Sequence, residues 1–463
     1  MSGTGTTDPA GRSRKYDLLL QGGRVIDPAK QMDAVADIAI ERGIVVALEP
    51  TIDPARARRT IDLRGLIVCP GLIDLHVHCN LYRTSEALDP TMAGVQTGCT
   101  RIVDPGDCGA YTFQGFRKNV VERTPTRVHS WLNAAALGGF MYGLYNTDVI
   151  LNASMIDVGA AVEIIRMYPD IIRGIKTYSV PDAWGSPDGS EVIRRALEIG
   201  DLAHVPLYVH TGAPSLEGYL VNGGKPMLFG KEVTREQALT MILERLRPGD
   251  IIAHVGTTYD GGAWNRKENR PAPGVREAYD RGILFDSGRG AHFSYDSMRR
   301  MLDAGFAPFT LSTDRHAQDP HDKYVRVSSA GMCLHMSEMM ALGMSLTDVI
   351  TRASLNPAKA LRITDRAGTI HVGKPAELTV LVEREGRWTL RDSPYRLPPT
   401  SIETKTLLTA VLTVLDDRVY PVNPAFLPDL NELQIQEDTW SWLLDRPERP
   451  TDYGIPGDDE SRR

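Results

Sequence analysis

The chain has 463 residues, 42% hydrophobic and 24% charged, with a formal net charge of −7. That length supports a large core and more than one domain, and the acidic balance argues against a nucleic-acid partner. No apolar run reaches the length of a membrane span, so no membrane partner is expected.

Residues 1–15 are rich in Gly, Thr and Ser and lack the apolar centre of a secretory signal, so they read as a flexible tail. Tyr16 to Leu66 carries short β-type runs separated by Gly22-Gly23 and Arg42-Gly43 turns. The same texture returns at Gly368 to Val382, so the two ends are expected to pair into one small β domain. Between them strand and helix alternate. The expected strands are Leu66–His78, Thr100–Val103, Arg127–Asn133, Ile171–Tyr178, Leu207–His210, Ile251–His254, Ile283–Asp286 and Phe309–Thr313. Glu191–Leu202, Arg235–Leu246 and Tyr295–Ala304 are the clearest helices, and Ser345 with Asp348 opens a later one with a capping-box pattern. Eight strands with intervening helices indicate a (β/α)8 barrel rather than an open sheet. The domain reading is a tail (1–15), a first sheet part (16–66), a barrel (67–365), a second sheet part (366–425) and an extension (426–463).

Chemistry in such barrels sits at the C-terminal ends of the strands. Those ends carry His76 and His78, Lys176, His210, His254 and Asp314. Strand side chains alternate, so His76 and His78 share a face and can converge on a divalent metal. Taken alone, His-x-His is equally two polar residues closing a strand. His210 and His254 taken singly are core histidines, Asp314 a helix cap, and Lys176 either a buried lysine paired to an acid or the cation that replaces a second metal. Their recurrence at successive strand ends is what favours a site. The five cysteines show no Cys-x-x-Cys pair and read as reduced thiols of a cytoplasmic protein.

The pattern resembles the amidohydrolase superfamily. The matching segments are Pro70-Gly71-Leu72-Ile73-Asp74-Leu75-His76-Val77-His78, Gly174-Ile175-Lys176, Tyr208-Val209-His210, Ala253-His254 and Ser312-Thr313-Asp314. Asp104-Pro105-Gly106-Asp107, Arg247-Pro248-Gly249-Asp250 and Gly282 to Gly288 make the amidohydrolase/deacetylase branch, related to dihydroorotase, the nearest fit. The resemblance implies a TIM barrel with a small β-sandwich formed by both chain ends. It also implies two divalent metal ions, Zn2+ foremost, and cleavage of an amide, cyclic amide or related ester by attack of a metal-bridging hydroxide. His76, His78 and Asp314 would hold one ion, and His210 and His254 the other. Lys176, carboxylated by CO2, would bridge them, and Asp314 would shuttle the proton.

Departures bear on substrate. Tyr178 stands where that branch usually has Arg, and Arg289 where a His is common, with His292 nearby. Asn133, Tyr178, Arg289 and His292 are candidate substrate contacts, and His316 and His321 lie on loops of the same face. Residues 215–233 read as a lid or a surface insertion, and the Trp440 region as a segment that docks on an apolar patch or a neighbouring subunit. The expected partners are a small-molecule substrate and a second copy of the chain. Two alternatives stay open: a one-metal deaminase using His76, His78, His210 and Asp314, and a catalytically silent assembly protein.

Overall fold

The computed structural model describes residues 15–81, 83, 87–139, 153–184, 186, 188–212, 225–316, 331–394 and 397–422. The tail before Lys15, His321, residues 215–224 of the insertion and the 426–463 extension lie outside them.

Both chain ends enter one eight-stranded sheet. Tyr16–Asp27 pairs antiparallel with Met32–Glu41, and Glu377–Arg391 pairs antiparallel with Ser401–Leu415. Ile67–Pro70 joins the two halves, parallel to the first strand and antiparallel to Glu377–Arg391. The expected single strand Leu66–His78 is therefore two strands in two sheets. The crossing is at Gly71, whose N–H is bonded to the Glu377 carbonyl and where a Cβ would lie 2.3 Å from Thr100 Oγ1. Only glycine fits so close an approach.

The second sheet has seven strands, neighbours in chain order: Leu72–Asp74, Cys99–Asp104, Arg127–Asn133, Ile172–Tyr178, Leu207–His210, Ile251–Ala253 and Leu284–Phe285. All neighbours are parallel. Isolated parallel bridges join Asp286 to Thr310 and Val77 to Arg315. They set residues 310–315 between the last strand and the first, where the eighth strand is expected. Ile73, Leu75, Val103, Trp131, Tyr208, Ile251 and Ala253 form a buried cluster closed by Ala358, Leu361 and Ile363. Within it Trp131 stacks on Tyr208, 5.1 Å between ring centres, and donates Nε1–H to the Leu75 carbonyl. Removing so large a ring leaves a cavity, at a cost of about 3–5 kcal/mol.

Helices occupy the connections. Ser190–Ala203 buries Val192, Ile193, Ala196 and Ile199, spaced for one helical face. Arg235–Leu243 is capped by Thr234 with Gln237, and Leu346–Ala353 by Ser345 with Asp348, each a reciprocal capping box. The Glu377–Arg391 hairpin reaches the Phe293 segment: Ser393 N–H donates to the Phe293 carbonyl, and Asp392 accepts from Tyr295 N–H. Among the described residues no helix is long and apolar enough to cross a membrane.

Candidate metal centre

Three ligand atoms converge beyond the first strand. His76 Nε2 lies 3.0 Å and His78 Nε2 3.4 Å from Asp314 Oδ1. Each imidazole is turned by what its other nitrogen does. Tyr208 OH donates to Asp286, so it must accept from His76 Nδ1 at 2.9 Å. His78 Nδ1 lies 2.6 Å from the Asp107 carboxylate. A ring that donates through Nδ1 keeps a lone pair on Nε2 for a metal.

His254 and His210 face this group. The His254 ring is 5.0 Å from His76 and 4.4 Å from His210, centre to centre. His254 Nδ1 lies 2.7 Å from the Gly288 carbonyl, and its Nε2 is buried with no hydrogen-bond partner among the described residues. An orphaned buried imidazole nitrogen costs free energy unless something occupies it. His210 Nε2 lies 2.9 Å from the Gly212 carbonyl, which leaves Nδ1 as its ligand atom. His254 and Asp314 both take left-handed backbone angles, φ 66° and 49°. Strain of this kind clusters at functional sites.

Lys176 is 2% exposed, its Nζ 4.9 Å from the Tyr208 ring centre and 5.3 Å from that of Tyr178. Among the described residues no carboxylate lies within ion-pair distance of it, so the paired-lysine reading finds no partner. Burial lowers its pKa to about 8, against the pull of Asp314, Asp286, Asp107 and Asp104.

Electrostatics suit cation binding. Burial lowers His76 to about 3 and His292 to about 4, and holds His210 and His254 well below the usual imidazole range. At neutral pH these rings are unprotonated, the form that binds metal. Burial pushes the Asp314 carboxyl up, but His76, His78 and His254 outweigh it and hold it well below the usual range. His76, His254 and Asp314 offer ligand atoms that all lie within 4.8 Å of one another. His78 differs: burial lowers it, but Asp107 and Asp314 outweigh burial and raise it well above the usual imidazole range, so a cation there has to displace a proton. The neutral imidazoles of His76, His210 and His254, an ionised carboxylate and a vacant imidazole lone pair make a donor set that fits divalent ions.

The four candidate substrate contacts separate. His292 joins the cluster: its ring is 4.5 Å from His254 and stacks on Tyr259, and its Nε2 is 3.9 Å from Asp314 Oδ2. Tyr178 lies 5.4 Å from the His210 ring. Asn133 donates to the Gly106 carbonyl and accepts from Ala135 N–H, so much of its capacity is spent on backbone. Arg289 is not brought in. Its guanidinium forms a bidentate pair with Glu338, both contacts 2.7 Å, and its other contacts are Ser393 and the Arg391 carbonyl. The His316 ring is 6.1 Å from His78. His335 is fully buried between Glu338 and Ser287.

Sequence reading missed the residues that orient these candidate ligands: Tyr208, Asp286, Asp107 and the Gly288 carbonyl. Two of them carried a signal. Tyr208 is two residues before His210 and so shares its strand face, and Asp107 follows the end of the second strand, where active-face residues lie.

The sequence model of the amidohydrolase family matches residues 293–400. A dihydroorotase of Trichlorobacter lovleyi is 37% identical over 425 residues, covering 81% of this chain and 92% of that protein. A deacetylase of Agrobacterium fabrum is 25% identical over 342 residues, 73% of this chain and 76% of its own. A crystal structure of an adenine deaminase superposes with a TM-score of 0.71 at 23% identity, covering 88% of this chain and all of that one, a likeness of fold. With the dihydroorotase matched along nearly its whole length, the chain belongs to the amidohydrolase family and is a hydrolase acting on C–N bonds.

Proposed function

We propose that the chain is a two-metal hydrolase cleaving an amide, cyclic amide or related ester of a small molecule. The observation that carries this reading is the convergence of His76 Nε2 and His78 Nε2 on Asp314 Oδ1, with the unpartnered His254 Nε2 close by. His76, His78 and Asp314 would hold one ion and His210 and His254 the second, and Lys176 as a carbamate would supply anionic oxygens to the pair. Bound divalent ions supply Lewis-acid activation of water and of the scissile carbonyl. Asp314, ionised and within reach of three imidazoles, takes the proton of the attacking water and delivers it to the leaving atom. His292 and Tyr178 flank the cluster and contact substrate. The names of the relatives, deacetylase and dihydroorotase, support acyclic and cyclic amides as the substrate class.

The parallel sheet is proposed to close as a (β/α)8 barrel through residues 310–315, and the end-built sheet to fold as a small sandwich with Tyr16, Leu19, Ala39 and Ala47 in its core. The five cysteines are buried and unpaired, which supports a reducing cytoplasmic location. We also propose a homo-oligomer. Retention of the full set of candidate ligands argues against the silent-assembly alternative. A single ion is supported by one observation, that among the described residues His76, His254 and Asp314 form a compact three-ligand group, but that group includes His254, which the one-metal deaminase does not use, and lacks its His78 and His210. Against it, Thr211-Gly212-Ala213 follows His210 in place of the His-x-x-Glu usual in deaminases.

The test is a screen of zinc-loaded protein against N-acyl amino acids, hydantoins, dihydropyrimidines, lactams and small esters. Hydrolysis of one class, lost on chelation and restored by zinc, is the expected result. Release of ammonia from an aminated base, with no amide or ester cleaved, overturns it.

A further inference from the structure

Gly288-Arg289-Gly290 forms a turn wedged between two ligand candidates. Its backbone presses on both. A Cβ on Gly288 would lie 2.6 Å from His254 Nδ1, and one on Gly290 would lie 2.3 Å from Asp314 Oδ2. Both glycines have positive φ, 45° and 49°. The Gly288 carbonyl is the group that faces His254 Nδ1. The turn thus fixes which nitrogen of His254 faces the centre, and it bounds the position of Asp314.

The intervening side chain anchors the turn on its other side. Arg289 is held in a bidentate pair by Glu338, which is fully buried in the helix Gly331–Ala341. Glu338 also meets His335 Nδ1 at 3.0 Å and accepts from Tyr295 OH at 3.1 Å. His335 Nε2 reaches Ser287, just before the turn, and Ser393 Oγ donates to the Gly290 carbonyl at 2.7 Å. Four contacts therefore pin a four-residue stretch whose backbone touches two ligands. A buried charge pair is a poor source of net stability but a good device for fixing one geometry.

We propose that Glu338 is a positioning residue: through Arg289 it holds the Gly288–Gly290 turn against His254 and Asp314, and thereby sets the metal affinity of the centre. This rests on the metallohydrolase reading. Groups that orient metal ligands typically change affinity 10–100-fold when removed.

The experiment measures zinc affinity of the full chain by competition with a chromophoric chelator. The variants are Glu338→Gln, Arg289→Lys and the pair Arg289→Met with Glu338→Leu. The paired variant leaves no buried charge, so it reports even where Glu338→Gln does not fold. In the paired variant the more weakly held ion is expected to bind about 10–100-fold less tightly. Arg289→Lys, which keeps the charge but not the fork, should fall between it and wild type. In 15N-histidine-labelled apo-protein the His254 Nδ1–H signal should shift or exchange faster. A merely structural pair moves the thermal midpoint and leaves zinc affinity and the His254 signal as in wild type, and that result overturns the proposal. Wild-type protein separates the two failures. If it holds no zinc, the metallohydrolase reading fails as well; if it holds zinc tightly and the variants match it, the positioning role alone fails.

Discussion

The Tyr208 hydroxyl accepts a hydrogen bond from His76 Nδ1 at 2.9 Å while donating its own proton to Asp286 at 2.6 Å. Asp286 also accepts from Ser312 and Thr310, so its carboxylate is satisfied without a cation. A neutral phenol therefore sets the tautomer of His76, whereas a carboxylate, Asp107, sets that of His78. Tyr208→Phe should fold, because the ring and its stacking on Trp131 are kept. It leaves a buried N–H unpaired, at a cost of about 1–3 kcal/mol. Zinc affinity is expected to fall about 10–100-fold in chelator competition. Native affinity in Tyr208→Phe would show that the phenol does not orient His76.

Asp314→Asn keeps the size of the side chain but removes its ability to take a proton. Turnover is expected to fall by about 10²–10⁴-fold, with the circular dichroism spectrum of the parent retained. Near-native turnover with metal bound contradicts the proton-shuttle role.

Lys176 is buried with no described carboxylate partner in reach, and burial lowers its pKa to about 8. A usable fraction is thus uncharged near neutral pH and can add CO2. Reassembly of apo-protein with zinc should be slow without CO2 and faster with bicarbonate. Lys176→Ala should lose one ion, and a small carboxylic acid should partly restore it. Lys176→Arg should bind metal worse, because guanidinium stays protonated. Reassembly indifferent to bicarbonate, with Lys176→Ala still holding a full complement of metal, contradicts the carbamate.

Burial would raise the Glu338 carboxyl, but Arg289 and His335 outweigh it and hold it at about 2. Its ordinary value is ~4.3. A pKa depressed by folding stabilises the native state above the unfolded value and loses that contribution as pH falls through the folded one. The contribution is on the order of 3 kcal/mol at neutral pH, lost between about pH 5 and pH 2. In urea unfolding, the stability gap between wild type and Glu338→Gln should shrink across that window. A gap independent of pH contradicts the assignment.

Much of this architecture is legible in the residues. Arg127–Asn133 and Leu207–His210 are found at their expected bounds because short runs carrying a Val and an aromatic between turn signals leave little choice of element. His76, His78, His254 and Asp314 could be located because strand ends share one face of the fold. Other features escaped for physical reasons. A continuous apolar run hid the crossing at Gly71, since strands of two different sheets have the same local signature. Arg289 was read as a substrate contact because loop position on the active face does not reveal its partner. Glu338 lies 49 residues away on a helix, and only tertiary packing brings the two together.

The central claim is that these side chains assemble a two-ion centre, and the metal content of purified, zinc-reconstituted protein tests it most directly. Elemental analysis should give about two zinc ions per chain, falling towards one in His254→Ala. One ion per chain in fully active protein would contradict the two-metal account and favour the deaminase reading.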